Sequence, residues 1–433
     1  MQLPNVWASN ITDKNLNTAR KAAKHIINNK DLEAWSCLAD HEEHIFEFIK
    51  NKIAQYLIDE VTEENIGNLF VLMNKYNNWL ADVIALASSK FDSPDISDRM
   101  LKSLMGGTSA QQAYAARYFA YVKFEPAESI LIDLLNSDNE NIKINSAEAL
   151  GAQKSKKAFD ILFKKLDDTD DWKKSEAAEL LCALGNPEAL KPILKAMTTS
   201  SMKENLASEA ASLCCLADYL YTDDEELHLL ILEAYDHIIT GLPEVLPLQN
   251  VLVYDFYECI DKLLKLAEEG TSTYTSKYAQ ILIRAKHKFD MIVNNDQYTF
   301  DEDKETLEEL KHINNILTLR DNVFWDDMAY FLLEELDCDD ISRKSVAIAT
   351  IGEANLSFAE NKLIKIINNE YIPEEILCQA ACVLQEIKAV SALPILKKLI
   401  ERVNDANRLA IIKNTIRVLE QCNSINTTSE PLK

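Results

Sequence analysis

Ala147-Glu148-Ala149-Leu150 is repeated, with variation, as Ala178-Glu179-Leu180-Leu181 and is foreshadowed by Ala116-Arg117-Tyr118-Phe119, each copy displaced by 31 residues. A second alanine follows each block at a constant distance, at Ala127, Ala158 and Ala189. Apolar residues recur four and eight positions later: Leu131 and Leu135, Leu162 and Leu166, Ile193 and Met197. Each unit thus has two short apolar stripes at helical spacing, and one copy alone cannot bury both. Copies must stack on their neighbours. The reading is an all-α chain, an α-α superhelix of stacked antiparallel helix pairs.

Outward from that core, acidic or Asn-rich turns separate the units at Asn136-Ser137-Asp138-Asn139 and at Asp167-Asp168-Thr169-Asp170-Asp171. Gly151 and Gly185 are read as breaks between the two helices of a unit, and Pro187 sits where a helix start tolerates it. The pattern returns near the C-terminus with a 33-residue shift, Ala347, Ala359, Leu363 and Ile367 mapping onto Ala380, Ala392, Leu396 and Ile400. Gly352 is expected to mark the turn between helices there.

Five segments follow: N-terminal helical hairpins over 1–108, repeats over 109–221, an irregular helical segment or divergent repeats over 222–335, C-terminal repeats and a cap over 336–422, and a polar tail over 423–433. Within the first, a loop through Ser93-Pro94 is expected to lead to Gly106-Gly107. The middle segment lacks the register and is rich in aromatics, among them Tyr254, Phe256, Tyr257, Tyr274, Tyr278, Phe289, Phe300, Phe324 and Trp325.

Leu184-Gly185-Asn186-Pro187-Glu188-Ala189-Leu190-Lys191-Pro192-Ile193-Leu194 resembles the HEAT repeat in its bacterial, phycobilin-lyase-like form. The resemblance implies a HEAT-repeat solenoid. It also implies a hydrogen-bonded ladder linking Asn139, Asp170 and Asp339 with the basic Lys143, Lys174 and Arg343. The second helices are then expected to line the concave surface.

Composition narrows the function classes. The formal charge is −25, from 45 Lys+Arg against 70 Asp+Glu. Such a chain repels phosphate backbones and anionic lipid, so no nucleic acid and no membrane is expected among its partners. That argues against the DNA glycosylases built from HEAT-like repeats. Nine cysteines without a CxxC pair match neither a disulfide framework nor a structural zinc site. With no basic start and apolar core of a signal peptide and no long apolar run, the expected location is cytoplasmic.

Candidate sites are few. Asp40-His41-Glu42-Glu43-His44 spaces its histidines by three where a zinc-protease helix needs four. Deoxyhypusine hydroxylases of HEAT type use several His-Glu pairs, against the single His41-Glu42 here. The acidic runs at 167–171, 223–226 and 301–303 lack the ligand spacing of a calcium loop and read as capped turns. Cys378 and Cys382 lie in an apolar stripe and read as packing. No cofactor or metal is expected, and no catalytic residue.

Lys164, Lys195 and Lys398 occupy equivalent second-helix positions, six residues after Ala158, Ala189 and Ala392, with Lys157 and Lys191 near the same face. A basic ladder of this kind suits an acidic peptide or a phosphate. It is weighed against an ordinary solvated face. The expected function is a non-enzymatic scaffold or adaptor binding a protein or extended peptide. The alternative is a phycobilin-lyase-like enzyme or chromophore chaperone.

Overall fold

The computed structural model describes residues 47–63, 66–67, 69–70, 79–91, 93–241, 251–269, 274–294 and 304–428, with isolated positions ahead of these. The chain divides into two compact units, Met1–Met202 and Lys203–Lys433; the division falls inside the 109–221 segment. Among the described residues there is no strand, and no helix is long and apolar enough to cross a membrane.

The first unit runs α1 (Glu47–Glu60), α2 (Trp79–Ser89), α3 (Pro94–Gly106), α4 (Ser109–Tyr121), α5 (Glu128–Leu134), α6 (Glu140–Ala152), α7 (Lys156–Lys165), α8 (Asp171–Leu184) and α9 (Leu190–Thr199). First helices α2, α4, α6 and α8 pack side by side, and α7 returns against α8. The two alanine stripes explain this layering. Ala116, Ala147, Ala149, Ala158, Ala178 and Ala189 are all fully buried, as are Leu131, Leu162 and Ile193. Small residues at each crossing let helices approach closely.

Helix starts follow from capping side chains. Asn139 accepts from the Ile142 amide at 3.2 Å, Ser155 from Ala158 at 3.2 Å and Asp170 from Trp172 at 3.0 Å. Thr108 and Gln111 form a reciprocal capping box on α4. Pro94 does not hold a loop open: it is the first residue of α3, which runs unbroken to Gly106. The proline lacks only an amide that has no partner in a first turn.

The glycines correct a second expectation. Gly185 does break its unit, with φ +69° just past α8. Gly151 and Gly352 lie inside helices, and the left-handed residues that follow are Lys154 (φ 57°) and Asn355 (φ 52°). Lys154, Gly185, Asn355 and Lys388 occupy the same place after a first helix. Ser155, Leu356 and Ala389 close the turn by donating to Leu150, Ile351 and Leu384 at 2.9, 3.0 and 2.8 Å, a Schellman pattern. Gly151 serves contact instead: a Cβ there would fall within 2.7 Å of the Leu184 carbonyl carbon.

The second unit comprises α10 (Lys203–Leu213), α11 (Glu225–Gly241), α12 (Val251–Glu269), α13 (Thr275–Asn294), α14 (Lys304–Thr318), α15 (Asn322–Glu335), α16 (Ile341–Glu353), α17 (Glu360–Asn368), α18 (Glu374–Glu386), α19 (Leu393–Leu399) and α20 (Ala406–Thr428). The middle segment keeps the two-row plan with longer helices: α11 lies beside α13, and α12 beside α14. The irregularity is α15, which packs on both α13 and α16. From α16 onward the alternation is regular, α16, α18 and α20 forming one row and α17 and α19 the other. Helix α20 extends to Thr428, so the stretch from 423 to 428 is helical rather than tail.

The ladder implied by resemblance takes a different form. Asp340, not Asp339, caps α16, accepting from Ser342 and Arg343 at 2.8 and 3.1 Å. Arg343 pairs with Glu335 at 2.6 Å. Rungs between successive pairs join Lys143, one of the expected ladder positions, to Glu176 and come otherwise from Arg117 to Glu148 and from first-turn acids reaching the next inter-unit loop. Asp171 accepts from the Ser201 amide and hydroxyl at 2.8 and 2.5 Å, and Glu374 from the Asn404 amide at 3.1 Å.

Candidate partner-binding groove

Helix α7 buries Ala158 and Leu162, with Leu166 just beyond, and so turns Lys157, Phe163 and Lys164 outward. Helix α9 follows a tight turn over Pro187–Ala189, where Asn186 accepts from the Glu188 amide at 3.1 Å. It buries Ile193, Leu194 and Met197 and leaves Lys191 and Lys195 on its other side. Between these second helices lies a groove of about 600 Å³. Phe163, Leu166, Pro192 and Ala196 supply its apolar surface, Lys174, Lys191 and Lys195 its cations, and Asp167 and Glu188 its acids.

Of the lysines singled out by sequence, Lys191 and Lys195 line this groove together. Lys157 and Lys164 are exposed on α7 but are not among the lining residues, and Lys398 is exposed on α19 of the second unit. Sequence reading missed Phe163, which is 41% exposed and stacks on Phe159 with ring centroids 6.1 Å apart. The signal was present, because Phe163 falls off the 158/162/166 stripe. It also missed Trp172, 76% exposed at the start of α8. Lys174, a ladder position by resemblance, is buried and lines the groove.

The local field differs from the global one. Between 154 and 165, Lys154, Lys156, Lys157, Lys164 and Lys165 face Asp160 alone. Up to Met202 the chain carries 23 Lys+Arg against 29 Asp+Glu, and beyond it 22 against 41. The negative excess therefore sits mostly in the second unit, and α7 is a basic island.

Other candidates reduce to structure. Asp168 accepts from the Asp170 amide at 2.9 Å and Asp224 from Leu227 at 3.1 Å, as capped turns require. Burial pushes the Cys378 thiol up and the Cys382 thiol up to about 11, so neither is an activated nucleophile. They line a cavity of about 620 Å³ with Gly352, Glu386 and Arg408. Cys215, Asp218 and Glu258 converge closely enough for a metal ion. The Lys262 ammonium already occupies the acids, 2.7 Å from Glu258 and 3.3 Å from Asp218. The run 40–44 and Asp301-Glu302-Asp303 lie outside the described residues.

A family model of HEAT repeats matches residues 97–175, from α3 into α8. No curated protein matches the chain. Among solved structures, the karyopherin Kap121p bound to the extreme C-terminus of the protein phosphatase Cdc14p is 14% identical, with 98% of this chain and 51% of that chain covered and a TM-score of 0.43. The present chain thus spans about half of that karyopherin. An engineered protein is 16% identical, with 97% and 99% covered and a TM-score of 0.31. The complex of CpcE and CpcF of phycocyanin lyase from Nostoc sp. PCC7120 is 16% identical, with 75% and 94% covered and a TM-score of 0.21. Period, helix pairing and the match over 97–175 make this an all-α chain that carries HEAT repeats.

Proposed function

We propose that the chain is a non-enzymatic scaffold that holds a protein or extended peptide in the groove between α7 and α9. The observation that supports it is the pairing of apolar surface at the exposed Phe163 and the half-buried Pro192 with the cationic Lys191 and Lys195 in one groove. An aromatic anchor with a charged rim is the composition of a binding surface. A net charge of −25 disfavours nucleic acid and anionic membrane as the occupant.

The test places a photo-crosslinking residue at Phe163 and, in a second variant, at the exposed Met105 of the same unit. Crosslinked peptides are identified after irradiation in the native cells. The expected result is a protein adduct at 163 that Lys191→Glu with Lys195→Glu abolishes. Equal adducts at both positions, or none at 163, refute the groove. A tetrapyrrole bound to the purified chain would move the reading to the lyase-like alternative.

A further inference from the structure

Along α18, Glu375, Cys378, Cys382 and Glu386 recur at intervals of three and four, so they share one face over about 16 Å of helix. The flanking helices meet that face with Ala349 and Gly352 on α16 and with Arg408 and Ile411 on α20. Small side chains at 349, 352, 378 and 382 leave a hollow between the three first helices, the groove of about 620 Å³. A Cβ at Gly352 would collide with the Glu386 carboxylate. The bare glycine is what lets that carboxylate lie against α16, beside Glu353.

The charges in this groove do not balance. Glu353 accepts from Arg284 at 2.7 Å, but the same guanidinium donates to Asp236 at 2.5 Å, so one cation already serves two carboxylates. Arg408 lies 3.9 Å from Glu375, at the opposite end of the α18 face from Glu386. Glu386 has no ion-pair or hydrogen-bond partner among the described residues. Partial burial and the charge of Glu353 push its carboxyl above the usual 4.5. Two like charges with no cation between them favour a positive group from outside. Ile411, 42% exposed, rims the same groove and offers an apolar contact beside them.

We propose that this groove of the second unit is a separate docking site, which takes a basic peptide segment of a partner protein by seating a Lys or Arg side chain between Glu353 and Glu386. The aliphatic stem of that side chain packs over Gly352 and Cys382, and a neighbouring apolar residue covers Ile411. Beyond Met202 the chain carries 41 acids against 22 bases, and this field steers positive segments toward the unit. A small polyamine would meet the carboxylates but leave Ile411 uncovered. A second copy of the chain, itself at −25, is repelled. The chemistry is opposite in sign to that of the groove between α7 and α9, and the two sites stand or fall separately.

The experiment measures fluorescence anisotropy of a short labelled peptide alternating Lys with Leu, and of its Gln-for-Lys counterpart. Physiological salt screens exposed charges beyond about 8 Å. Each peptide is titrated with wild type, Glu386→Gln, Ile411→Ser and Asp223→Asn, all checked by circular dichroism. Asp223 is an exposed acid in the turn before α11 and controls for attraction to net charge. The expected result is that the Lys peptide binds wild type and Asp223→Asn alike. It should weaken roughly tenfold or more in Glu386→Gln and roughly threefold or more in Ile411→Ser, while the Gln peptide is weak throughout.

Equal binding of the Lys peptide by wild type and folded Glu386→Gln, or no binding by wild type, overturns the site. Equal weakening by Asp223→Asn reduces the binding to diffuse attraction and overturns it as well. Spermine that displaces the peptide and binds Ile411→Ser as tightly as wild type overturns the choice of a peptide. A wild-type dimer in sedimentation that Glu386→Gln dissolves makes the occupant a second copy and overturns the partner.

Discussion

Gly151→Ala should destabilise the first unit, although the same exchange inside a helix ordinarily helps. Alanine is about 1 kcal/mol better than glycine in a helix interior. Position 151 lies in α6, and a Cβ there would stand 2.7 Å from the Leu184 carbonyl carbon and 3.0 Å from its Cα. Optimal carbon contacts are about 3.5–4.0 Å, so α6 and α8 must separate by roughly 1 Å. The obstruction is backbone and has no rotamer through which to yield. Overpacking of this kind costs about 1–3 kcal/mol or more, which outweighs the propensity gain. Gly106→Ala is the control, because nothing lies within 4 Å of a Cβ at the end of α3. Stacked repeats open locally, so the assay is hydrogen exchange of peptides from α6 and α8. Gly151→Ala should raise their exchange roughly tenfold or more for a loss of about 1.4 kcal/mol or greater, while Gly106→Ala should not. Unchanged or slower exchange in Gly151→Ala would refute the close-approach reasoning.

Lys388→Gly should stabilise the C-terminal pairs by about 1 kcal/mol, since a left-handed non-glycine residue costs about 1–2 kcal/mol; its φ is 56°, and a lower urea midpoint would count against the reading. Arg284 is buried between Asp236 at 2.5 Å and Glu353 at 2.7 Å. Arg284→Met should therefore cost the second unit about 3 kcal/mol by stranding two carboxylates, and a change in urea unfolding below about 1 kcal/mol would contradict this. Hydrogen bonds from Ser201 hold the Asp171 carboxyl down at about 2, against its usual 3.8. That contribution is present above pH 3.8 and lost as pH falls toward 2, so Asp171→Asn should remove part of the acid-induced loosening of α8, read by hydrogen exchange. Burial holds His228 and His237 below their usual 6.5. The second unit should lose stability as pH falls below 6.5 through their folded values, and melts at pH 7.5 and 5 should differ less in His228→Gln with His237→Gln.

The alanine stripes were legible because their spacing is a property of one helix at a time. Ala147 and Ala158 needed no knowledge of neighbours to be placed in a core. Gly151 was not legible in the same way. Glycine signals either a positive φ or a close approach, and only the position of Leu184 across the helix pair decides between them. Pro94 failed similarly, since a proline that ends one helix reads the same as one that begins the next. Asp339 was placed by the eight-residue offset that Asn139 and Asp170 keep to Ala147 and Ala178, whereas the capping residue before Ala347 stands one position nearer, at Asp340. Lys195 came from periodicity and Lys191 from lying near the same face, whereas Phe163 required attention to what lies off the stripe.

Lys174 shows why periodic reasoning reaches the scaffold before it reaches the site. Averaging the repeats makes Lys143, Lys174 and Arg343 one position with one structural role. The structure gives that position three outcomes: a glutamate across the stack for Lys143, the last glutamate of the preceding helix for Arg343, and Asp171 with Thr199, both at 3.5 Å, for Lys174 at the edge of the groove. What the repeats share is required to stack them, since every unit must bury the same stripes against its neighbours. Stacking alone does not require an aromatic ring to stay exposed. Such a departure is where the chemistry of a binding surface can be read apart from that of the scaffold, and in this chain Phe163 brings one into the groove between α7 and α9.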